Sequence, residues 1–142
     1  MRTRKASTIE DHLSILICDD HEVLRHLLRA RLENWFDGAE ILEAADGEAA
    51  ITIAAERNPD VIIMDIALPG MNGIDATKAI KRWSPDTPVV ILSVHELDAY
   101  RDEARNAGAL HYIAKRNMHS ELSAVLSELL DGRTASAESS KD

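Results

Sequence analysis

Five polar side chains each stand at the carboxyl end of an apolar run, where they could do chemistry together. They are Asp19, Asp20, Asp65, Ser93 and Lys115. The run before Asp65 is Val61-Ile62-Ile63-Met64, and a charged group that finishes such a run needs a cation, hydrogen-bond donors or solvent. The carboxyl ends of strands in open α/β sheets are also where such proteins bind ligands. These residues are therefore the first candidates for a functional site.

The three carboxylates predict a cation site if the fold brings them together. Like charges at close range raise one another's pKa unless a cation lies between them. A hard divalent ion with oxygen ligands fits, and Mg²⁺ fits well because it takes one or two carboxylates and keeps waters and phosphate oxygens. The alternative is that Asp19 and Asp20 only cap the helix that follows them.

The whole set suits transfer of a phosphoryl group onto Asp65. Its carboxylate would attack phosphorus in line, while the cation, Lys115 and Ser93 would neutralise or hydrogen-bond the equatorial oxygens. The product is an acyl phosphate that water can later remove. The added negative charge would draw Ser93 and Lys115 toward it, which could move a neighbouring helix.

Apolar runs bounded by turn residues predict the strands that position these groups, and helical spacing of apolar residues predicts the helices. The predicted strands are 13–18, 39–44, 61–65, 87–92 and 110–114. The predicted helices lie near 23–37, 47–57, 72–83, 97–107 and 122–131. We assign Val23 and Leu27 to the buried face of the first helix, Trp83 to that of the third, and Leu97 to that of the fourth.

Five strands alternating with five helices predict an α/β fold. We expect a flavodoxin-like (βα)5 doubly wound parallel sheet with strand order 2-1-3-4-5. In that order the first and third strands are neighbours, so Asp19, Asp20 and Asp65 meet at the switch point of the sheet. The predicted domain spans residues 13–132, after a flexible arm at 1–12 and before a disordered tail or linker at 133–142.

Composition limits the class of protein. A chain of 142 residues suits one domain, and a formal charge of −9 argues against a nucleic-acid-binding surface. The single cysteine, Cys18, excludes an internal disulfide and is expected to be a core residue. We find no secretory segment and no apolar run of membrane length, so the expected location is cytoplasmic, without membrane contact.

Four motifs together resemble the receiver domain of bacterial two-component response regulators, over about residues 13–132. They are Ile15-Leu-Ile-Cys-Asp19-Asp20-His, Asp60-Val-Ile-Ile-Met-Asp65-Ile-Ala-Leu-Pro69-Gly-Met-Asn-Gly73, Val89-Val-Ile-Leu-Ser93 and Gly108-Ala-Leu-His-Tyr112-Ile-Ala-Lys115. The details look most like the subgroup with a helix-turn-helix output (NarL/FixJ-like). The chain departs from many receivers at Val94 and Arg116, which stand in place of Ala and Pro.

The resemblance implies a role for each site residue. Asp65 is the phosphoacceptor, Asp20 binds Mg²⁺ directly, and Asp19 acts nearby, through water. The backbone carbonyl of Ala67 is a further metal ligand, and Tyr112 is the aromatic residue that swings inward on activation. Sequence alone leaves open that Tyr112 is an edge-strand packing residue.

The resemblance also implies a signalling switch, not an enzyme acting on a separate substrate. A sensor histidine kinase or a small phosphodonor would supply the phosphoryl group, and phosphorylation would control partner binding or dimerisation. The dimer could form through the fourth helix, fifth strand and fifth helix, or through the first and fifth helices. The alternative is that the chain is the amino-terminal receiver of a longer DNA-binding transcriptional regulator.

Three other classes compete with this interpretation. An aspartate-nucleophile phosphatase would want a second acid two residues after Asp65, where the chain has Ala67. A flavin-binding module would want a hydroxyl-rich phosphate loop after the first strand, where the chain has Asp19 and Asp20. An interaction domain with an idle acidic site is the third, and nothing in the sequence indicates loss of the site.

Overall fold

The structure, a computed structural model, describes the backbone of residues 13–139 and the side chains up to Asp131. The strands are β1 (Ser14–Cys18), β2 (Glu40–Ala44), β3 (Val61–Met64), β4 (Val89–Ser93) and β5 (His111–Ala114). The helices are α1 (Glu22–Trp35), α2 (Gly47–Arg57), α3 (Gly73–Trp83), α4 (Asp98–Ala107) and α5 (Met118–Ser139), with a 3₁₀ turn at Lys115–Asn117.

All five strands are parallel and lie in the order β2-β1-β3-β4-β5, which confirms the predicted flavodoxin-like topology. Cys18 of β1 pairs with Met64 of β3, so the residues that follow these two strands leave the sheet side by side. Met64 in turn pairs with Ile91 of β4. The register therefore brings the carboxyl ends of β1, β3 and β4 to one edge.

Alternate residues of the central strands fill two separate core layers, because successive side chains of a strand point to opposite faces. Ile15 and Ile17 of β1 face Leu28 and Leu32 of α1 and the apolar residues of α5. Leu16 and Cys18 face the layer that contains α2, α3 and α4. Both faces of the sheet are thus covered, which explains why the strands are continuous apolar runs.

Several assignments of apolar residues to buried faces were wrong. Val23 is 83% exposed, Trp83 74% and Leu97 67%, and Leu27 is also exposed. Val23 lies in the first turn of α1, Trp83 is the last residue of α3, and Leu97 precedes α4. Helix ends extend past the area that a sheet of four- and five-residue strands can cover, so apolar periodicity overstates burial there.

The last helix differs from its predicted end. It runs through Gly132 to Ser139, because a glycine inside a helix costs only about 1 kcal/mol and the following residues include the good helix formers Ala135 and Ala137. The predicted tail from 133 is therefore helical up to 139. Residues 140–142, and the predicted arm at 1–12, lie outside the described part of the chain.

Cys18 is 1% exposed, as expected for a core residue. Burial, with the nearby carboxylates of Asp19, Asp46 and Asp65, raises the pKa of its thiol to about 12 from an ordinary 9.0. We therefore expect Cys18 in the folded protein to react with Ellman's reagent at pH 8 at least roughly a thousandfold more slowly than in guanidinium.

The control for this thiol measurement is Cys18→Ala/Ala99→Cys, in which the thiol moves to an exposed position of α4. That variant should react at similar rates in the folded and unfolded states. Fast labelling of Cys18 in the native protein would show that β1 and its surrounding core open readily.

Candidate functional site

The side chains that follow β1, β3 and β5 converge at the carboxyl edge of the sheet. Asp19 and Asp65 are both almost fully buried, and Lys115 lies between them. Its ammonium Nζ is 2.8 Å from Asp19 Oδ2 and 3.1 Å from Asp65 Oδ2. The ammonium group of Lys115 thus bridges two carboxylates that follow neighbouring strands.

Asp20 and His21 complete the cluster from the turn between β1 and α1. One ligand atom from each of Asp19, Asp20, His21 and Asp65 lies within 4.8 Å of the others. His21 was not among the predicted site residues, although it follows the acidic pair directly. Its Nδ1 is 3.4 Å from Asp19 Oδ1 and 3.5 Å from Asp20 Oδ1.

The acidic pair does not act as a conventional helix cap. The N-cap residue of α1 is His21, and no side chain makes a capping hydrogen bond there. Asp19 Oδ1 accepts a hydrogen bond from the backbone N–H of His21 at 2.8 Å, which orders the turn before the helix. Asp20 is exposed, and its carboxylate, which has Oδ1 3.5 Å from His21 Nδ1, is accessible to a cation from solvent.

The electrostatics of Asp65 reflect its burial. Removal from water raises the pKa of its carboxyl, Lys115 lowers it, and Asp19 raises it again, with a net upward shift. For Lys115, burial alone would lower the pKa of the ammonium, but Asp19 and Asp65 outweigh that effect and raise it. Lys115 is therefore charged at neutral pH and contributes one positive charge beside a cluster that contains the carboxyl groups of Asp19, Asp20 and Asp65.

The donor set fits a hard divalent cation. Three carboxylates supply oxygen ligands at one edge, and Asp20 leaves room for waters because it is exposed. The backbone N–H of Ala67 lies 3.4 Å from Asp65 Oδ1, which places Ala67 beside the cluster. The assignment of its carbonyl as a metal ligand stays a prediction.

Ser93 and Tyr112 lie on the α4 side of the site and are joined through His95. Ser93 is fully buried, and its Oγ accepts a hydrogen bond from the backbone N–H of His95 at 3.0 Å. The hydroxyl of Tyr112 donates to the backbone carbonyl of His95 at 2.6 Å, and the Arg101 guanidinium lies 4.7 Å from the centre of the Tyr112 ring. Tyr112 thus points toward the β4–α4 connection, and its role in activation stays a prediction.

Fold and site together define a flavodoxin-like α/β protein with a lysine-bridged acidic cluster at its switch point. The chain belongs to the response regulator receiver domain family, whose model matches residues 15–127. The match begins within β1, includes the other four strands and every predicted site residue, and ends in the first half of α5.

Curated relatives are regulators about twice as long as the segment over which they match this chain. The chain is 39% identical over 110 residues to the transcriptional regulatory protein LiaR of Bacillus subtilis, covering 78% of this chain and 52% of LiaR. It is 34% identical over 106 residues to the transcriptional regulatory protein DegU of Brevibacillus brevis, covering 75% of this chain and 45% of DegU. The chain therefore spans about half the length of the relatives it matches.

Solved structures agree with the fold. A LuxR-family two-component response regulator from Aurantimonas sp. SI85-9A1 superimposes with a TM-score of 0.79 at 33% identity, covering 86% of this chain and 87% of that one. The response regulator TrrA of Thermotoga maritima, solved in complex with Mg²⁺-BeF, has a TM-score of 0.75 at 30% identity, covering 83% and 99%. In residues 13–139 of the present chain, no helix is long and apolar enough to cross a membrane.

Proposed function

We propose that this receiver domain accepts a phosphoryl group on Asp65 and works as the switch of a two-component system. The observation that supports this most directly is the Lys115 bridge, because it places a fixed positive charge between two buried carboxylates at the strand ends. Such an arrangement stabilises negative charge that develops on a transferring phosphoryl group.

The reaction forms a bond between a carboxylate oxygen of Asp65 and phosphorus, while the bond between phosphorus and its donor breaks. The donor is a phosphorylated histidine of a sensor kinase or a small acyl phosphate, and its leaving group departs with the electron pair of the broken bond. Asp19, Asp20 and Asp65 would hold Mg²⁺, which supplies Lewis-acid stabilisation of the phosphoryl oxygens. Lys115 and the Ser93 hydroxyl would contact the remaining oxygens.

The switch would act through the β4–α4 connection. Ser93 must turn its hydroxyl toward the new phosphoryl group, and it now accepts a hydrogen bond from His95. The backbone carbonyl of His95 accepts a hydrogen bond from the Tyr112 hydroxyl. Movement of the β4–α4 connection would therefore change the contacts of β5 as well. The face formed by α4, β5 and α5 would then offer a changed surface for a partner or a second copy.

The test is phosphorylation by acetyl phosphate in the presence of MgCl₂, followed by intact-protein mass spectrometry. We expect one added phosphoryl group in the wild-type protein and none in Asp65→Asn, because the amide cannot act as the nucleophile. Chelation of Mg²⁺ with EDTA should also suppress the addition.

The matched control is Asp86→Asn, an exposed aspartate in the turn before β4, at the opposite edge of the sheet. It should be phosphorylated like the wild-type protein. A wild-type protein that gains no phosphoryl group under these conditions, or an Asp65→Asn variant that gains as much, would overturn the proposal.

A second candidate is that this receiver forms the amino-terminal half of a longer DNA-binding transcriptional regulator. The supporting observation is that LiaR and DegU, both named transcriptional regulatory proteins, are about twice as long as the matched segment. The length of the full gene product separates a stand-alone receiver from this alternative. In both cases a sensor histidine kinase is the proposed phosphodonor.

A further inference from the structure

The two peptide groups on either side of Asp19 are each held by a hydrogen bond. The backbone N–H of Asp19 donates to the carbonyl of Ala44 in β2 at 3.1 Å. The carbonyl of Asp19 accepts a hydrogen bond from Nη1 of Arg25 at 2.7 Å. Because a peptide group is planar, fixing this carbonyl restricts the backbone on both sides of it, from which the two carboxylates project.

Arg25 is itself held in place by an acidic residue of β2. Its Nε donates to Glu43 Oε1 at 2.7 Å, and Arg25 and Glu43 are only 15% and 20% exposed. Burial alone would raise the pKa of Glu43, but its hydrogen bonds with Arg25 and Arg29 keep that pKa below the ordinary value. The planar guanidinium of Arg25 therefore donates one hydrogen bond to a residue of β2 and another to the turn after β1.

We propose that Arg25 is a positioning residue for the Mg²⁺ site, because its guanidinium fixes the peptide between Asp19 and Asp20 and so sets the directions of both carboxylates. The inference rests on the proposed function, since it concerns the same site. Arg25 acts through the backbone carbonyl of Asp19 and not on the reacting atoms. Groups that orient metal ligands in this way usually change metal affinity by 10- to 100-fold when they are removed.

Electrostatics and positioning predict opposite results at this residue. A positive charge near a cation site weakens cation binding. If Arg25 acts only through its charge, its removal should therefore tighten the binding of Mg²⁺. If Arg25 acts as a positioning group, its removal should weaken the binding, because the backbone of Asp19 and Asp20 is no longer fixed. The sign of the change in affinity therefore separates the two roles.

The experiment is titration of the unphosphorylated full chain with Mg²⁺ by isothermal calorimetry. We expect Arg25→Met to bind Mg²⁺ about tenfold more weakly than the wild-type protein. The matched control is Arg29→Met, since Arg29 Nη1 also contacts Glu43, at 2.6 Å, while the hydrogen bond to the Asp19 carbonyl comes from Arg25. Arg29→Met should keep the wild-type affinity even if its midpoint of urea unfolding falls as much as that of Arg25→Met.

Each outcome bears on the inference. Wild-type or tighter Mg²⁺ binding by Arg25→Met, or equal weakening in Arg29→Met, overturns the positioning role and leaves the proposed function intact. A wild-type protein that does not bind Mg²⁺ overturns the proposed function and the inference with it. If Arg25→Met does not fold, Arg25→Lys replaces it, because one ammonium cannot reproduce the two-sided guanidinium contact, and wild-type affinity in that variant would contradict the inference.

Discussion

Gly73→Ala is expected to lower the free energy of unfolding by about 3 kcal/mol or more. A Cβ at position 73 would lie 1.8 Å from the backbone carbonyl oxygen of Asp65 and 2.8 Å from its carbonyl carbon. These atoms cannot rotate away as a side chain could, so either α3 or the end of β3 must shift. Such a loss is a large share of the 5–15 kcal/mol that typically stabilises a domain.

The same shift should impair phosphorylation, because the displaced carbonyl belongs to the proposed phosphoacceptor. The backbone N–H of Gly73 also donates to the carbonyl of Ile66 at 2.9 Å, which closes the loop after β3 on the start of α3. We expect Gly73→Ala to accept phosphoryl groups from acetyl phosphate more slowly even under conditions in which it stays folded.

Urea unfolding followed by circular dichroism measures the stability change, with Gly70→Ala as the matched control. Gly70 lies in the same loop with a φ of +76° and has open space where a Cβ would lie. It should lose only about 1 kcal/mol, the cost of a left-handed conformation for alanine. A Gly73→Ala variant as stable as Gly70→Ala would show that the close approach to Asp65 relaxes at little cost.

Lys115→Met is expected to slow phosphorylation by about 100-fold or more and to destabilise the Mg²⁺-free protein by about 3 kcal/mol at pH 8. The rate falls because a positive charge that would face the phosphoryl oxygens is gone. The stability falls because Asp19 and Asp65, both buried, lose the ammonium that lies 2.8 and 3.1 Å from them. Lys78→Met, at an exposed position of α3, is the control and should behave as wild type.

The loss of stability in Lys115→Met should shrink as the pH falls. The pKa of Asp65 is already raised by burial, and loss of Lys115 removes an effect that lowers it. A raised carboxyl pKa in the folded state means that ionisation costs stability as the pH rises from the ordinary 3.8 through the folded value. Lys115, with its pKa raised above 10.5, stays protonated throughout this range in the wild-type protein.

Urea unfolding of Lys115→Met and wild type in EDTA, at pH 5 and pH 8, checks this dependence. The difference between the two proteins should be smaller at pH 5, where Asp65, whose pKa is raised, takes up a proton more readily. A difference that is equal at the two pH values would show that the lysine contributes through packing of its carbon chain, and not through its charge.

The amino-acid sequence was sufficient to predict the architecture, because the patterns that indicate strands and helices are local. The run Val61–Met64 predicted a doubly buried strand, and the alternation of strands and helices predicted the parallel order 2-1-3-4-5, which the structure confirms. Strand ends in a parallel sheet share an edge, so placing Asp19, Asp65 and Lys115 together followed from topology alone. The sequence did not predict correctly which apolar residues at helix ends are buried, since Val23 and Trp83 were assigned to buried faces and are exposed.

Only the tertiary structure decided which atoms meet. Lys115 bridges Asp19 and Asp65, Arg25 in the first turn of α1 reaches back to the carbonyl of Asp19, and Gly73 packs directly against the carbonyl of Asp65. These contacts depend on strand register, side-chain rotamers and the path of each crossover, none of which has a local sequence pattern. The chain itself thus determined which residues stand at the sheet edge, and packing of the helices against the sheet determined how the acidic cluster is held.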